Sequence, residues 1–341
     1  MSINCLILVC LSPTGSSAQE SEKPQRKTNK FASQNQRFVR LGSFKDKKIN
    51  ESSGVVVATS EDGPVSAIWT FNDSGGEPRL YRVSLDGYTE ARLTINGAKN
   101  RDWEAMCDFS IDEQRFLAIG DVGDNLEKRK RCTVYVVPEP KIGRMTDKKG
   151  RVLEQKFFAT PQSFDFSYED GPRNCEAMAY NMADSSYWFA GKIYANDKRK
   201  AAPGIYALSD PLLVSPQSVD EPPKNVAKRV CDFPVRNVTG MAFSPDGEKL
   251  AIRTYLGYYL FHKQADKSWQ ETMAAAKPVS QALPLQTQGE AVCFFSEGNS
   301  LLVTSELANA IIWKVMLDDP VPEPSAEPKT ENSKSKTKND S

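Results

Sequence analysis

The sequence predicts an all-β fold, a ring of five repeated four-strand sheets closed by a strand from the N-terminus. Three observations carry this. A short motif recurs five times. Each copy is followed by further apolar runs of strand length, bounded by Gly, Asp, Asn and Pro. One strand-like run, Phe38 to Phe44, precedes the first copy without a hairpin partner, and the last repeat is one strand short. Four short antiparallel strands at a period of roughly 50–70 residues make a blade of a β-propeller. A helical solenoid would need apolar stripes at a period of about 3.6 residues, and none of useful length is present. Six blades are the alternative count.

The motif reads Glu51-Ser52-Ser53-Gly54-Val55, Asp102-Trp103-Glu104-Ala105-Met106, Asn174-Cys175-Glu176-Ala177-Met178, Asn237-Val238-Thr239-Gly240-Met241 and Gln288-Gly289-Glu290-Ala291-Val292. The small fourth residue lets inner strands crowd around an axis, and the Met or Val after it packs between blades. The second run of each repeat ends in a polar step, as in Phe71-Asn72-Asp73 and Ile119-Gly120-Asp121. The third carries Tyr81, Tyr135, Tyr206, Tyr259 or Trp313, read as an inter-blade packing layer rather than a stacking platform. A weaker fourth run follows, assigned in the second blade to Gln155–Phe158. Closing the ring with Phe38–Phe44 removes the exposed sheet edges of an open array.

In chain order, residues 1–18 hold an apolar run, Ile3 to Leu11, then Ser16 and Ala18 in a small-x-small pattern, and read as a secretory leader although no Lys or Arg precedes the run. Residues 19–35 read as a disordered linker, 36–318 as the propeller and 319–341 as a disordered tail. The blades fall at about 51–96, 100–167, 172–234, 236–284 and 287–317. Secretion or export to a periplasm is expected. Ile3–Leu11 is too short to span a bilayer.

Lys plus Arg equals Asp plus Glu at 44 each, which offers no charge argument for nucleic acid. The single histidine, His262, argues against His-rich metal sites and Ser-His-Asp devices. A monomer is expected.

Strand direction places the chemistry. Starts of first strands and ends of second strands share one rim, so the motif and the polar step face the same mouth of the channel. Asp73, Asp102, Glu104, Asp121, Asp124, Glu290 and Glu306 are the candidate metal ligands. Lys192, Arg253, Glu176 and Glu51 are the candidate ligand-binding residues, with Lys192 and Arg253 opposite the acids. Clustered carboxylates repel one another unless they are protonated, paired or holding a cation, and oxygen ligands alone suit calcium (Ca2+) or magnesium. Asx-turns formed by the same Asp residues are the plainer reading of each taken singly. Charged insertions at Leu126–Arg131 and Asn196–Lys200 fall in the same loop type and mark that rim as the working face.

The runs Asn72-Asp73-Ser74-Gly75, Asp102-Trp103-Glu104, Gly120-Asp121-Val122-Gly123-Asp124-Asn125 and Tyr135-Val136-Val137-Pro138-Glu139-Pro140 resemble a group of bacterial exported propeller proteins, most without a known activity. The resemblance covers blades 1 to 3 well and blades 4 and 5 weakly. More distantly, the Glu-Ala-Met ring is similar to phytase-like and SdiA-regulated propellers. In the phytase-like enzymes acidic side chains hold calcium and a substrate phosphate bridges to basic residues. That resemblance implies such a role for Glu104, Glu176 and Glu290, while Ser53 and Thr239 depart from the acidic pattern. The expected function is binding of a divalent cation and a small anionic ligand, sugar or peptide. The alternative is a metal-dependent hydrolase of a phosphoester or lactone, with a glycosidase built on paired carboxylates as a weaker variant.

Overall fold

The computed structural model describes residues 37–60, 63–194, 203–213, 225–277 and 279–317. The expected leader, linker and tail, and the Asn196–Lys200 insertion, lie outside them. The strands are β1 (Phe38–Ser43), β2 (Ser52–Val57), β3 (Ala67–Asn72), β4 (Arg79–Ser84), β5 (Thr89–Ile95), β6 (Trp103–Ile111), β7 (Gln114–Asp121) and β8 (Cys132–Pro138). They continue with β9 (Gln155–Ala159), β10 (Gln162–Tyr168), β11 (Cys175–Asn181), β12 (Ser186–Gly191), β13 (Gly204–Ser209), β14 (Val226–Asp232) and β15 (Val238–Phe243). The last are β16 (Lys249–Thr254), β17 (Gly257–His262), β18 (Ser280–Ala282), β19 (Gly289–Phe294), β20 (Ser300–Ser305) and β21 (Ile311–Met316).

Among the described residues they form antiparallel meanders led by β2, β6, β11, β15 and β19. These inner strands neighbour one another in a closed circle: β2 beside β6, β6 beside β11, β11 beside β15, β15 beside β19, and β19 beside β2. The fold is an all-β propeller. Its described core divides into five clusters, one in each gap between neighbouring meanders. The fifth-position residues Val55, Met106, Met178, Met241 and Val292 each join a different cluster and are at most 4% exposed. Rings fill the gaps as well. Phe109 stacks on Tyr180 with centroids 4.2 Å apart, and Phe71 meets Trp103 edge-on at 5.5 Å.

β1 is the outer strand of the meander that β19, β20 and β21 begin, with Phe38 opposite Val315 and Ser43 opposite Ile311. It also docks on its other neighbour. The Lys45 amide donates to the Gly87 carbonyl at 2.9 Å. A Cβ on Gly42 would sit 2.3 Å from the Leu85 carbonyl oxygen, so this approach requires glycine.

Two elements differ from the sequence expectation. Gln155–Phe158 is not the fourth strand of the second meander. β9 pairs in parallel with β5, widening the first sheet, and β10 takes the fourth place beside β8. Pro161 lies between β9 and β10 and cannot donate to a ladder, so one apolar stretch is divided between two sheets. The second difference is a helix, α1 (Trp269–Ala275), between β17 and β18. Its Ser268–Glu271 capping box satisfies the first amides, and buried Trp269 donates to the Gly247 carbonyl at 3.0 Å. Among the described residues no helix is long and apolar enough to cross a membrane.

Candidate functional site

Every inner strand slips register against its neighbour at the same place. The shifts fall between Ser52 and Gly54, Trp103 and Ala105, Cys175 and Ala177, Val238 and Gly240, and Gly289 and Val292. The residue left over is the third motif position: Ser53, Glu104, Glu176 or Thr239, and in the last strand Glu290 with Ala291. A β-bulge inserts a residue, breaks the two-residue alternation and re-aims a side chain. Ser53, Glu104, Glu176 and Thr239 accordingly line one small space on the axis.

Asp73, Asp102 and Glu104 converge, with one carboxylate oxygen from each within 4.8 Å of the others. The loop bearing Asp73 is pinned by Asn100, whose Nδ2 donates to the carbonyls of Asn72 (3.0 Å) and Asp73 (2.7 Å). Gly123 makes room for Asp102, since a Cβ there would lie 2.5 Å from the Asp102 carboxyl carbon. Burial, followed by the charge of Glu176, holds the Glu104 carboxyl well above the usual range. Burial, opposed by the Ser74 amide and reinforced by Asp102, pushes Asp73 up to about 7. Asp102 is also raised, by burial and by Glu176, against the opposing pull of Arg129.

Lys192 sits across the axis, 3.3 Å from Glu176 and 4.0 Å from Glu290. Burial works against its ammonium, and these two carboxylates outweigh burial and hold the amine above its ordinary range. Glu290 goes the other way from a simple ion pair. Burial outweighs Lys192 and pushes it up to about 8. One lysine therefore serves more carboxylates than it neutralises. Its Nζ also lies 5.4 Å and 5.0 Å from the ring centres of Tyr194 and Tyr255.

The other expected residues have partners of their own beside this cluster. Asp121 meets Arg129 at 2.7 Å as a charge contact. Asp124 accepts from the Arg129 amide at 2.6 Å, and its own amide donates to Asn174 Oδ1 at 2.8 Å. Both acids shape the loop after β7. Glu306 accepts from Gln288 Nε2 at 2.7 Å on the rim, where burial raises its pKa against the pull of Lys192. Glu51 is exposed.

Arg253 departs from its expected role. It is fully buried, and its guanidinium donates to the Ala291 carbonyl, to the Thr304 carbonyl (2.7 Å) and to Gln286 Oε1 (2.7 Å). Pairing register gives the reason. Asn72, Asp121, Gly191, Thr254 and Ser305 are equivalent, so Arg253 stands one residue before this position, inside the paired strand with Phe71, Gly120, Ala190 and Thr304, whereas Lys192 stands one residue after it. The residue that follows the register position is Asp73, Val122, Lys192, Tyr255 and Glu306 in the five meanders, so Tyr255, not Arg253, is the equivalent of Lys192. Burial lowers Arg253 to about 9, which leaves it charged at neutral pH.

Arg129, Asn174, Tyr194 and Tyr255 were missed as site residues. Asn174 Nδ2 donates to Glu176 Oε1 at 3.0 Å, and the Tyr194 hydroxyl donates to Asn125 Oδ1 at 2.9 Å. The signals were present: Asn174 opens a motif copy, Arg129 lies in the charged insertion, and Lys192-x-Tyr194 matches Arg253-x-Tyr255.

No family model matches the chain, and no curated protein matches it. Among solved structures it is similar to a gluconolactonase from Xanthomonas campestris, with 9% identity and a TM-score of 0.38 over 74% of this chain and 69% of that one. It is also similar to a chain of a nidogen/laminin complex, with 13% identity and a TM-score of 0.41 over 75% and 73%. The chemistry of the mouth rests on its own residues.

Proposed function

We propose that this protein binds a divalent cation, calcium, at the acidic mouth, together with a small anionic ligand, sugar or peptide. The convergence of Asp73, Asp102 and Glu104 carries the reading. Oxygen ligands at about 2.3–2.6 Å from calcium lie within a few ångströms of one another, and three carboxylates fill part of its six- to eight-oxygen shell. Burial first, and the neighbouring carboxylates after it, raise the pKa values of all three, and a bound cation would favour their charged forms. The anionic group of the ligand completes the cation's shell. The Tyr194 ring, 40% exposed beside Lys192, offers it a flat apolar face. We place the protein outside the cytoplasm, on the strength of the Ile3–Leu11 run, where calcium is plentiful.

The test is a thermal melt with calcium, magnesium or chelator. Calcium at a hundredfold excess over its dissociation constant should stabilise the fold by about 2.7 kcal/mol. Glu104→Gln should erase that difference. A wild-type melt unmoved by all three would remove the cation.

The pH dependence has a definite sign. Asp73 and Glu290 have folded pKa values of about 7 and 8, above their ordinary carboxylate values, so between roughly pH 4 and 8 the folded state binds more protons than the unfolded one. In chelator, stability should fall as pH rises from 5 to 8. Lys192 contributes a constant amount there, because both its folded and unfolded values lie higher. Calcium must displace those protons, so its affinity should rise over the same window and binding should release protons. A chelated melting temperature that climbs from pH 5 to 8 would contradict this.

A second reading, the metal-dependent hydrolase of a phosphoester or lactone, is favoured by one observation. Glu104 and Glu176 line one small space beside the cation site, and burial holds the Glu104 carboxyl above its usual range, which suits general acid or base work. Calcium-dependent turnover of p-nitrophenyl phosphate or gluconolactone, lost in Glu176→Gln, would support it. No turnover of either would leave binding alone.

A further inference from the structure

The channel has a second mouth, and its chemistry is the opposite of the first. A cavity of about 900 Å³ opens there. Its floor is Val55, Met106, Met241 and Val292, which also bound the small space beneath Glu104 and Glu176. An apolar constriction thus divides the axis into an acidic funnel and a separate well.

The repeats encode the wall of that well. The inner strands of the second to fifth meanders end in aromatics that line it: Phe109, Tyr180, Phe243, and Phe294 with Phe295. The first meander has Val57 and Ala58 at the same strand end. The missing ring leaves room, and the cavity extends past Ala58 toward Leu41, Val65 and Leu85. Hydroxyls of Ser60, Ser110 and Ser296 stand around it. The charged side chains on its edge are already paired. Arg115 holds Asp108 at 2.8 Å and Glu139 at 3.1 Å, and Lys314 holds Glu297 at 2.7 Å.

We propose that this well is a binding site for one uncharged, apolar small molecule. The volume lies in the range of small-molecule sites, about 300–1,000 Å³, which are apolar with a few polar groups for orientation. Paired charges leave no counter-ion for an ionic ligand, whose burial would be costly. A folded partner resting on the rim cannot reach a floor halfway down the inner strands, whereas a small molecule can. The methionines on the floor adapt to its shape. This site is independent of the cation reading at the other mouth.

The probe is N-phenyl-1-naphthylamine, a neutral apolar fluorophore, titrated into the full-length protein. Saturable one-to-one binding with a blue-shifted emission is expected. Ser110→Trp and Met182→Lys alter exposed wall positions and should each weaken binding tenfold or more while leaving the melting temperature in place. Glu104→Gln and added calcium should leave probe affinity unchanged, because the constriction separates the two sites. Absence of saturable binding, or binding that both wall variants leave intact, would overturn the proposal.

Discussion

Replacing Arg253 with Met should cost about 3 kcal/mol or more of folding stability, because it leaves three neutral acceptors without their donor. The side chain is 0% exposed and reaches from β16 to its neighbours, where its Nη atoms serve the Ala291 and Thr304 carbonyls and Gln286 Oε1. Met fills much of the volume and supplies none of the donors. Each acceptor left buried and unpaired costs roughly 1–3 kcal/mol. Gly289 deepens the dependence, because a Cβ there would lie 2.1 Å from the guanidinium, so the backbone is shaped around this residue. Arg253→Lys keeps the charge and loses the fork, and should fall between the two. Urea unfolding gives the answer as a lower midpoint at unchanged slope. A loss below 1 kcal/mol would mean that the guanidinium does not join the two meanders, and would return Arg253 to the ligand-binding role its position in the sequence suggested.

Removing β1 should abolish cooperative unfolding altogether. A chain of residues 45–317 loses the pairing with β21 and the burial of Phe44, which is 1% exposed, and with them the packing of Phe38 and Leu41 against two of the core clusters. Each such side chain is worth about 1.5–3 kcal/mol, and together they rival the 5–15 kcal/mol that holds a typical domain. The exposed β21 edge would also invite intermolecular pairing. A chain of residues 36–318 should melt in one sharp transition. A synthetic peptide of residues 36–46 added to the shortened chain should restore part of it. A sharp melt of 45–317 on its own would show that the ring closes without its borrowed strand.

Much of this was legible because the repeats speak in unison. The inner-strand motif, the orphan strand and the shared rim follow from strand direction and the need to pair every edge, and Asp73, Asp102 and Glu104 do meet at one mouth. What the sequence hid was register. A bulge in every inner strand breaks the alternation from which faces are counted, and Arg253 falls two residues short of Tyr255, the equivalent of Lys192, which places it within the paired strand rather than beyond its end. Asp121 occupies the last paired position of β7, so the residue equivalent to Asp73 is Val122, and Asp121 meets Arg129, which the insertion contributes. β9 could not be placed by apolarity alone, as Phe157 and Phe158 fit either sheet. α1 was readable from Ser268 and Glu271, three residues apart, but is too short to show a periodic stripe.

The pairing of β1 with β21 also fixes how the molecule would present itself on a support. Phe38 lies opposite Val315, and Met316 lies opposite Ser300, at the end of the ring where Phe294 borders the apolar well. The chain enters and leaves the propeller at that end. A bead, chip or fused domain joined directly before Phe38 or after Leu317 would stand at the well's end and leave the carboxylate mouth open to solution. Tests of the proposed calcium site would therefore tolerate such attachment better than tests with apolar probes, and the two sites are best compared with the molecule free.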